Sequence, residues 1–203
     1  MRTKTLLIAA AALAATVISS QAQVYSGVVG YANVTLPANT LVLAANPLDN
    51  GTNDLNSLLG SLPSKSQVQI WNGFGFTAIT KGATWNPDPV ITPGTGFFVK
   101  SASAITNTFV GSIDTPIGGT TTNSLTGNVL YLVGSTIPYS ADLNDTNLAL
   151  NTLPSKSQVQ IWNGFGFTAI TKGATWPVGT TNPVAGGFFI KSSATTNWIQ
   201  TLQ

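Results

Sequence analysis

The 203-residue chain contains no cysteine and no histidine, and none of its six acidic residues is glutamate. Its one methionine is Met1 and its one arginine is Arg2. Without cysteine there are no disulfides, so packing and hydrogen bonding must hold the fold. Without His or Cys, neither a Ser-His-Asp nor a Cys-His arrangement can be built. Zinc loses its usual ligands for the same reason. Charge is scarce too, at 7% of residues.

The N-terminus reads as a secretory signal peptide. Arg2 and Lys4 precede a predominantly apolar run, Leu6 to Val17, and Ser20-Gln21-Ala22 supplies small residues for cleavage. The run is shorter than the roughly 20 residues that span a bilayer, and no later segment is apolar enough to span one. The reading is 1–22 signal peptide, with the exported chain starting at Gln23. That removes Arg2 and Lys4 and leaves six Lys against six Asp, a formal charge of zero. Nucleic-acid binding needs a basic stripe, and none exists. A neutral surface also lacks the repulsion that keeps copies apart.

What is present is Thr, Ser, Asn and Gln, with abundant Gly and a substantial aromatic content, as suits an extracellular β-protein. The passage LPSKSQVQIWNGFGFTAITKGATW occurs twice without a change, at Leu62–Trp85 and at Leu153–Trp176. Gly96-Phe97-Phe98-Val99-Lys100 and Gly187-Phe188-Phe189-Ile190-Lys191 continue the repeat. The reading is two units, 23–113 and 114–203, joined through the turn-rich stretch IDTPIGGTTT. The expected fold class is mainly β: two tandem small β-sandwich or barrel-like units, each with one short helix.

Within a unit, Asn72-Gly73 and Asn163-Gly164 suggest a two-residue hairpin loop, pairing Trp71 with Phe74 and Gln69 with Phe76. Trp71, Phe74 and Phe76 then share one face and Val68 and Ile70 the other, so both faces are apolar. Leu41–Ala45, Val129–Val133, Phe97–Lys100 and Phe188–Lys191 read as strands. Asp54 to Leu59 reads as a short helix with Asn53 or Thr52 as N-cap and Gly60 as C′ residue, and DTNLALNTLP as its counterpart. The stretch Val24–Leu36 is strand-like, whereas the matching DTPIGGTTTNSL is poor in apolar residues, so the second unit is expected to lack this strand.

The segments VVGYANVTLPAN, LVLAANPL, WNGFGF and GTGFFVK together resemble uncharacterised secreted bacterial β-repeat proteins, small extracellular β-modules that combine an Asn-Pro-Leu strand end, a Trp-Asn-Gly hairpin and a Gly-Phe-Phe strand. The resemblance covers nearly the whole exported chain, twice over. It implies an exported or cell-surface role and carries no catalytic residues.

Four functional readings follow. Two aspartates could serve a glycosidase, but Asp49, Asp54, Asp142 and Asp145 sit among Asn, Gly and Thr as turn and cap residues do, and we expect no enzyme. The same four aspartates could offer calcium its oxygen ligands, without EF-hand spacing; otherwise no cofactor is implied. Trp71, Trp85, Trp162 and Trp176 could stack on sugars, or could be core. The leading reading is a structural or adhesive subunit, self-assembling into a layer, matrix or fibre, with itself or other surface proteins as partners. Val29, Tyr31 and Val34 would carry exchange of the N-terminal strand into a neighbour. The perfect identity of the two 24-residue passages fits either recent duplication or two copies presenting one surface to one partner.

Overall fold

The computed structural model describes residues 29–113 and 119–201. The expected signal peptide 1–22, residues 23–28 of the expected first strand and the middle of the join, 114–118, lie outside the described residues. The protein is mainly β. In the first repeat, β1 (Val29–Leu36) and β2 (Leu41–Ala45) precede α1 (Leu55–Leu59), followed by β3 (Gln67–Trp71), β4 (Phe76–Thr80), β5 (Gly96–Lys100) and β6 (Ile105–Ser112). The second runs β7 (Thr120–Leu125), β8 (Leu130–Gly134), β9 (Ala141–Asp142), a 3-10 turn (Leu150–Thr152), β10 (Gln158–Trp162), β11 (Phe167–Thr171), β12 (Thr181–Asn182), β13 (Gly187–Lys191) and β14 (Thr196–Thr201).

Strand pairing repeats with the sequence. One four-stranded antiparallel sheet has the order β2-β5-β3-β4 and the other β8-β13-β10-β11, while β1-β6 and β7-β14 form two-stranded ribbons. The inner strands of each four-stranded sheet are covered on both faces, because they alternate apolar side chains between two cores, whereas β4 and β11 are largely exposed. In β5, Phe97 and Val99 enter one core and Phe98 another. Phe188 and Ile190 part from Phe189 in the same way. The first core lies between its sheet, α1 and the β1-β6 ribbon and contains Leu36, Leu55, Leu59, Trp85 and Phe109. The second contains Leu125, Leu150, Trp176, Phe188 and Trp198. The third draws Leu43 and Phe98 from one repeat and Leu132 and Phe189 from the other.

Three local expectations are corrected. The hairpin loop has four residues, not two: Trp71 pairs with Phe76 and Gln69 with Ala78. The Asn72 side-chain oxygen accepts the amides of Phe74 (3.0 Å) and Gly75 (2.9 Å), closing an Asx-type loop that places only Gly73 at positive φ. The slip is two residues, so the face assignment survives for the paired residues, with Val68 and Ile79 pointing to the first core and Trp71 and Phe76 away from it, whereas Phe74 leaves the shared face for the loop.

Second, the strand expected to be missing is present. Thr120–Leu125 pairs with β14 along its length, as β1 pairs with β6. Only Leu125 of this strand is fully buried, so β-branched threonines suffice at the more exposed positions. With β1 paired in cis, Val29 and Tyr31 face solvent and Val34 packs inward against the first core. The three residues of the proposed exchange therefore do not share a face.

Third, α1 is capped by Asp54, whose carboxylate accepts the Ser57 amide at 2.7 Å, and not by Asn53 or Thr52. Gly60 is right-handed, not a left-handed C′ residue. The second repeat has a 3-10 turn here, because Ala149 adopts positive φ and interrupts the helical path.

Candidate functional site

The third core is a seam between the repeats. Six rings form it: Trp71, Phe76 and Phe98 from the first repeat, Trp162, Phe167 and Phe189 from the second. Trp71 meets Phe189 edge-on at 5.1 Å, and Trp162 meets Phe98 at 5.0 Å. Phe76 lies 5.3 Å from Phe98, and Phe167 5.1 Å from Phe189. Every contact recurs when the repeats are exchanged, so the seam is a pseudo-twofold, self-complementary interface within one chain. Edge-to-face geometry suits the ring quadrupoles.

Hydrogen bonds obey the same exchange. The Trp71 indole donates to the Leu130 carbonyl at 3.3 Å and the Trp162 indole to Leu41 at 3.0 Å. The Ala45 amide donates to Ala185 at 2.8 Å and the Gly134 amide to Gly94 at 2.9 Å. These last bonds, with the bridges Ala44–Gly186 and Thr95–Val133, pair the outer sides of β2 and β8 at their C-terminal ends. Each repeat thus caps one end of an edge of the other's sheet.

The opposite edges, β4 and β11, are terminal in their sheets. Both read Phe-Thr-Ala-Ile-Thr and carry no charge. Their outward groups follow from hydrogen-bond alternation. The bonds Asn72 N–H to Gly75 and Lys81 N–H to Ser66 bracket the β3-β4 ladder. Thr77 and Ile79 therefore bond to β3, and the N–H and C=O of Phe76, Ala78 and Thr80 point away from the sheet. Phe167, Ala169 and Thr171 do the same on β11, bracketed by Asn163 to Gly166 and Lys172 to Ser157. Among the described residues no strand or bridge pairs with these edges. Beside them, the loop phenylalanines Phe74 and Phe165 are 99% and 98% exposed, and Phe76 and Phe167 are both 38% exposed.

The sugar-stacking residues fare unequally. Trp85 and Trp176 are 2% and 1% exposed, and their indoles donate to Leu59 at 3.0 Å and Leu150 at 2.9 Å. They close the ends of α1 and the 3-10 turn and offer no ring face to a ligand. Trp71 and Trp162 are half-buried in the seam. Sequence reasoning missed Phe74 and Phe165 as exposed residues, because a two-residue loop puts them inside the ladder.

The four aspartates act locally. Asp49 accepts the Gly51 amide at 2.8 Å and the Asn53 side chain at 2.6 Å, and these bonds hold its carboxyl below the ordinary range against its burial. Asp54 caps α1, and Asp142 accepts the Asn144 amide at 2.8 Å. Asp145 accepts the Tyr139 hydroxyl at 2.6 Å and the Asn147 amide at 2.7 Å. Burial opposes its ionisation, but these bonds, with that from the Leu148 amide, outweigh burial and hold its carboxyl below the ordinary range. Burial, then the bond to Asp145, pushes the Tyr139 phenol up. Among the described residues, no three Asp cluster as ligands would. Two shallow clefts border the seam, and no ionisable side chain lines either one. Comparison with protein-family models, with curated proteins and with solved structures finds no match.

Proposed function

We propose that this chain is an exported, non-enzymatic structural subunit of the extracellular space or cell surface that associates with copies of itself. The observation that carries the proposal is the same exposed aromatic loop displayed twice, Phe74 and Phe165, on a chain whose formal charge is zero once residues 1–22 are removed. We read Phe74 with the part-exposed Phe76, and Phe165 with Phe167, as two apolar patches available to a partner. The surrounding Thr, Asn and Gly supply no repulsion against a like surface. Chemistry in the exported chain is confined by composition to hydroxyls, amides, aspartates and lysines, and Asp49, Asp54, Asp142 and Asp145 are engaged in turns and a cap. Calcium is not required in this reading, and adding it leaves the melting temperature unchanged.

The test is particle mass against concentration for the exported protein, by light scattering or sedimentation. We expect mass to rise with concentration and with added sulfate, which strengthens apolar association. Phe74→Ser with Phe165→Ser lowers the mass at a given concentration. A monomer at every concentration refutes the proposal. N-terminal sequencing of exported material checks the other half: it begins at Gln23, and a retained Met1 defeats export with cleavage.

A further inference from the structure

We propose that the outer edges of β4 and β11 are pairing sites for the same edges of a second copy, so that each molecule is divalent and copies join edge to edge into a linear chain. The proposal rests on the self-associating reading above and names the surface that performs it.

The two edges of each sheet are treated in opposite ways. The β2 and β8 edges are paired with the other repeat at their C-terminal ends, through the Ala45–Ala185 and Gly134–Gly94 bonds. The β4 and β11 edges are left with an uncharged strand of high β-propensity. Soluble β-proteins guard such edges with lysine, proline or a bulge. Lys81 and Lys172, which follow these strands, do not serve as guards. Both are buried, and their ammonium groups donate inward to Ala83 and Ala174 at 3.1 Å.

The occupant follows from the strand itself. Outward groups fall at Phe76, Ala78 and Thr80, symmetric about Ala78. Two such strands running antiparallel pair Ala78 with Ala78 and Phe76 with Thr80, exchanging about six backbone hydrogen bonds. No charge meets a like charge in that register. The pairing also continues an interface the chain already makes, since the aromatic seam next to β4 and β11 is itself a contact between the two copies of the repeat, with Phe76 meeting Phe189 and Phe167 meeting Phe98. Because β11 repeats β4, any edge pairs with any other. The identity of the exposed positions Phe74, Thr77, Ala78 and Thr80 with Phe165, Thr168, Ala169 and Thr171 then has a physical use that the buried core does not require.

The test blocks one edge at a time. Ala78→Pro removes an outward N–H and no bond of the β3-β4 ladder, and proline is tolerated at such edge positions. Thr77 before it is already extended, as a residue preceding proline must be. Wild-type protein gives a concentration-dependent series of masses. Ala78→Pro alone, or Ala169→Pro alone, stops at the dimer, because one edge remains. The double variant is a monomer. Hydrogen exchange adds a direct readout: the amides of Phe76, Ala78 and Thr80 slow on wild-type assembly. Tryptophan near-UV circular dichroism confirms that each variant is folded. If a proline variant is unfolded, Ala78→Lys and Ala169→Lys replace it. A folded double variant with the wild-type mass series overturns the edge proposal and leaves self-association standing. Wild-type protein that stays monomeric overturns both.

Discussion

The indole N–H of Trp162 donates to the carbonyl of Leu41 across 121 positions of sequence, and Trp71 returns the bond to Leu130 across 59. Each bond ties the hairpin of one repeat to the strand that begins the other repeat's sheet. The identical passage therefore faces a copy of its own surroundings. Truncating either ring to alanine should lower stability by about 3 kcal/mol, read by urea unfolding. Trp162→Phe keeps the ring packing and leaves the Leu41 carbonyl without its donor, with an expected loss of about 1 kcal/mol. The pair Trp71→Ala and Phe189→Ala should show a coupling of about 1 kcal/mol in a double-mutant cycle. A coupling near zero would mean that the seam does not form in solution.

Gly96 and Gly187 set how closely the sheets approach. A Cβ on Gly96 would lie 2.9 Å from Leu132 Cγ, and one on Gly187 2.6 Å from the Ala44 carbonyl oxygen. Gly96→Ala and Gly187→Ala should each cost about 1–3 kcal/mol by overpacking. Gly75→Ala, where a Cβ meets nothing within 4 Å, is the control and should be near neutral. Thermal melts of the three variants check the ranking.

Opposite solutions fill equivalent places in the two ribbons. β6 places Asn107 and Phe109 inward, and β14 places Trp198 and Gln200 at the same two positions, all four fully buried. Asn107 donates to Leu58 at 3.3 Å, and Trp198 donates to Leu148 at 2.6 Å. Gln200 in turn donates to Ser135 at 2.8 Å. Phe109→Gln alone puts an amide in an apolar place, and Asn107→Trp alone overfills the other. The double variant should cost less than the sum of the two by at least about 1 kcal/mol, measured by denaturant unfolding.

Acid should unfold the protein through Asp145 and Asp49. Both titrate lower when folded than their ordinary value. A depressed carboxyl contributes stability that is full above the unfolded pKa of about 3.9 and is lost as pH falls through the folded value. The melting temperature should be level from about pH 5 to 8, since no histidine titrates there, and should fall below about pH 4. Tyr139 is raised, so its contribution is present below about pH 10 and is lost above it. Asp145→Asn should flatten the acid limb and lower stability at pH 7 by about 1–2 kcal/mol.

Much was legible in order along the chain. The two copies, the β class and the strands Leu41–Ala45 and Phe97–Lys100 follow from repetition and from runs of apolar, β-branched and aromatic residues. Val68 and Ile70 against Trp71 and Phe76 showed a hairpin apolar on both faces, because strand periodicity is two, and a two-residue slip in the loop left that reading intact. The loop itself was not legible, since Asn-Gly suits a two-residue turn until the Asn72 side chain captures two amides. Thr120–Leu125 looked like linker because its strand character depends on β14 beside it. Composition and period could say that each sheet is covered on two sides, but not by what. Only the tertiary structure decided that the second cover is the other repeat, that it pairs with the ends of β2 and β8, and that among the described residues no strand pairs with the outer edges of β4 and β11. Those outcomes rest on contacts between residues 38 to 142 positions apart, and side-chain patterns within one strand carry no information about which distant surface will meet them.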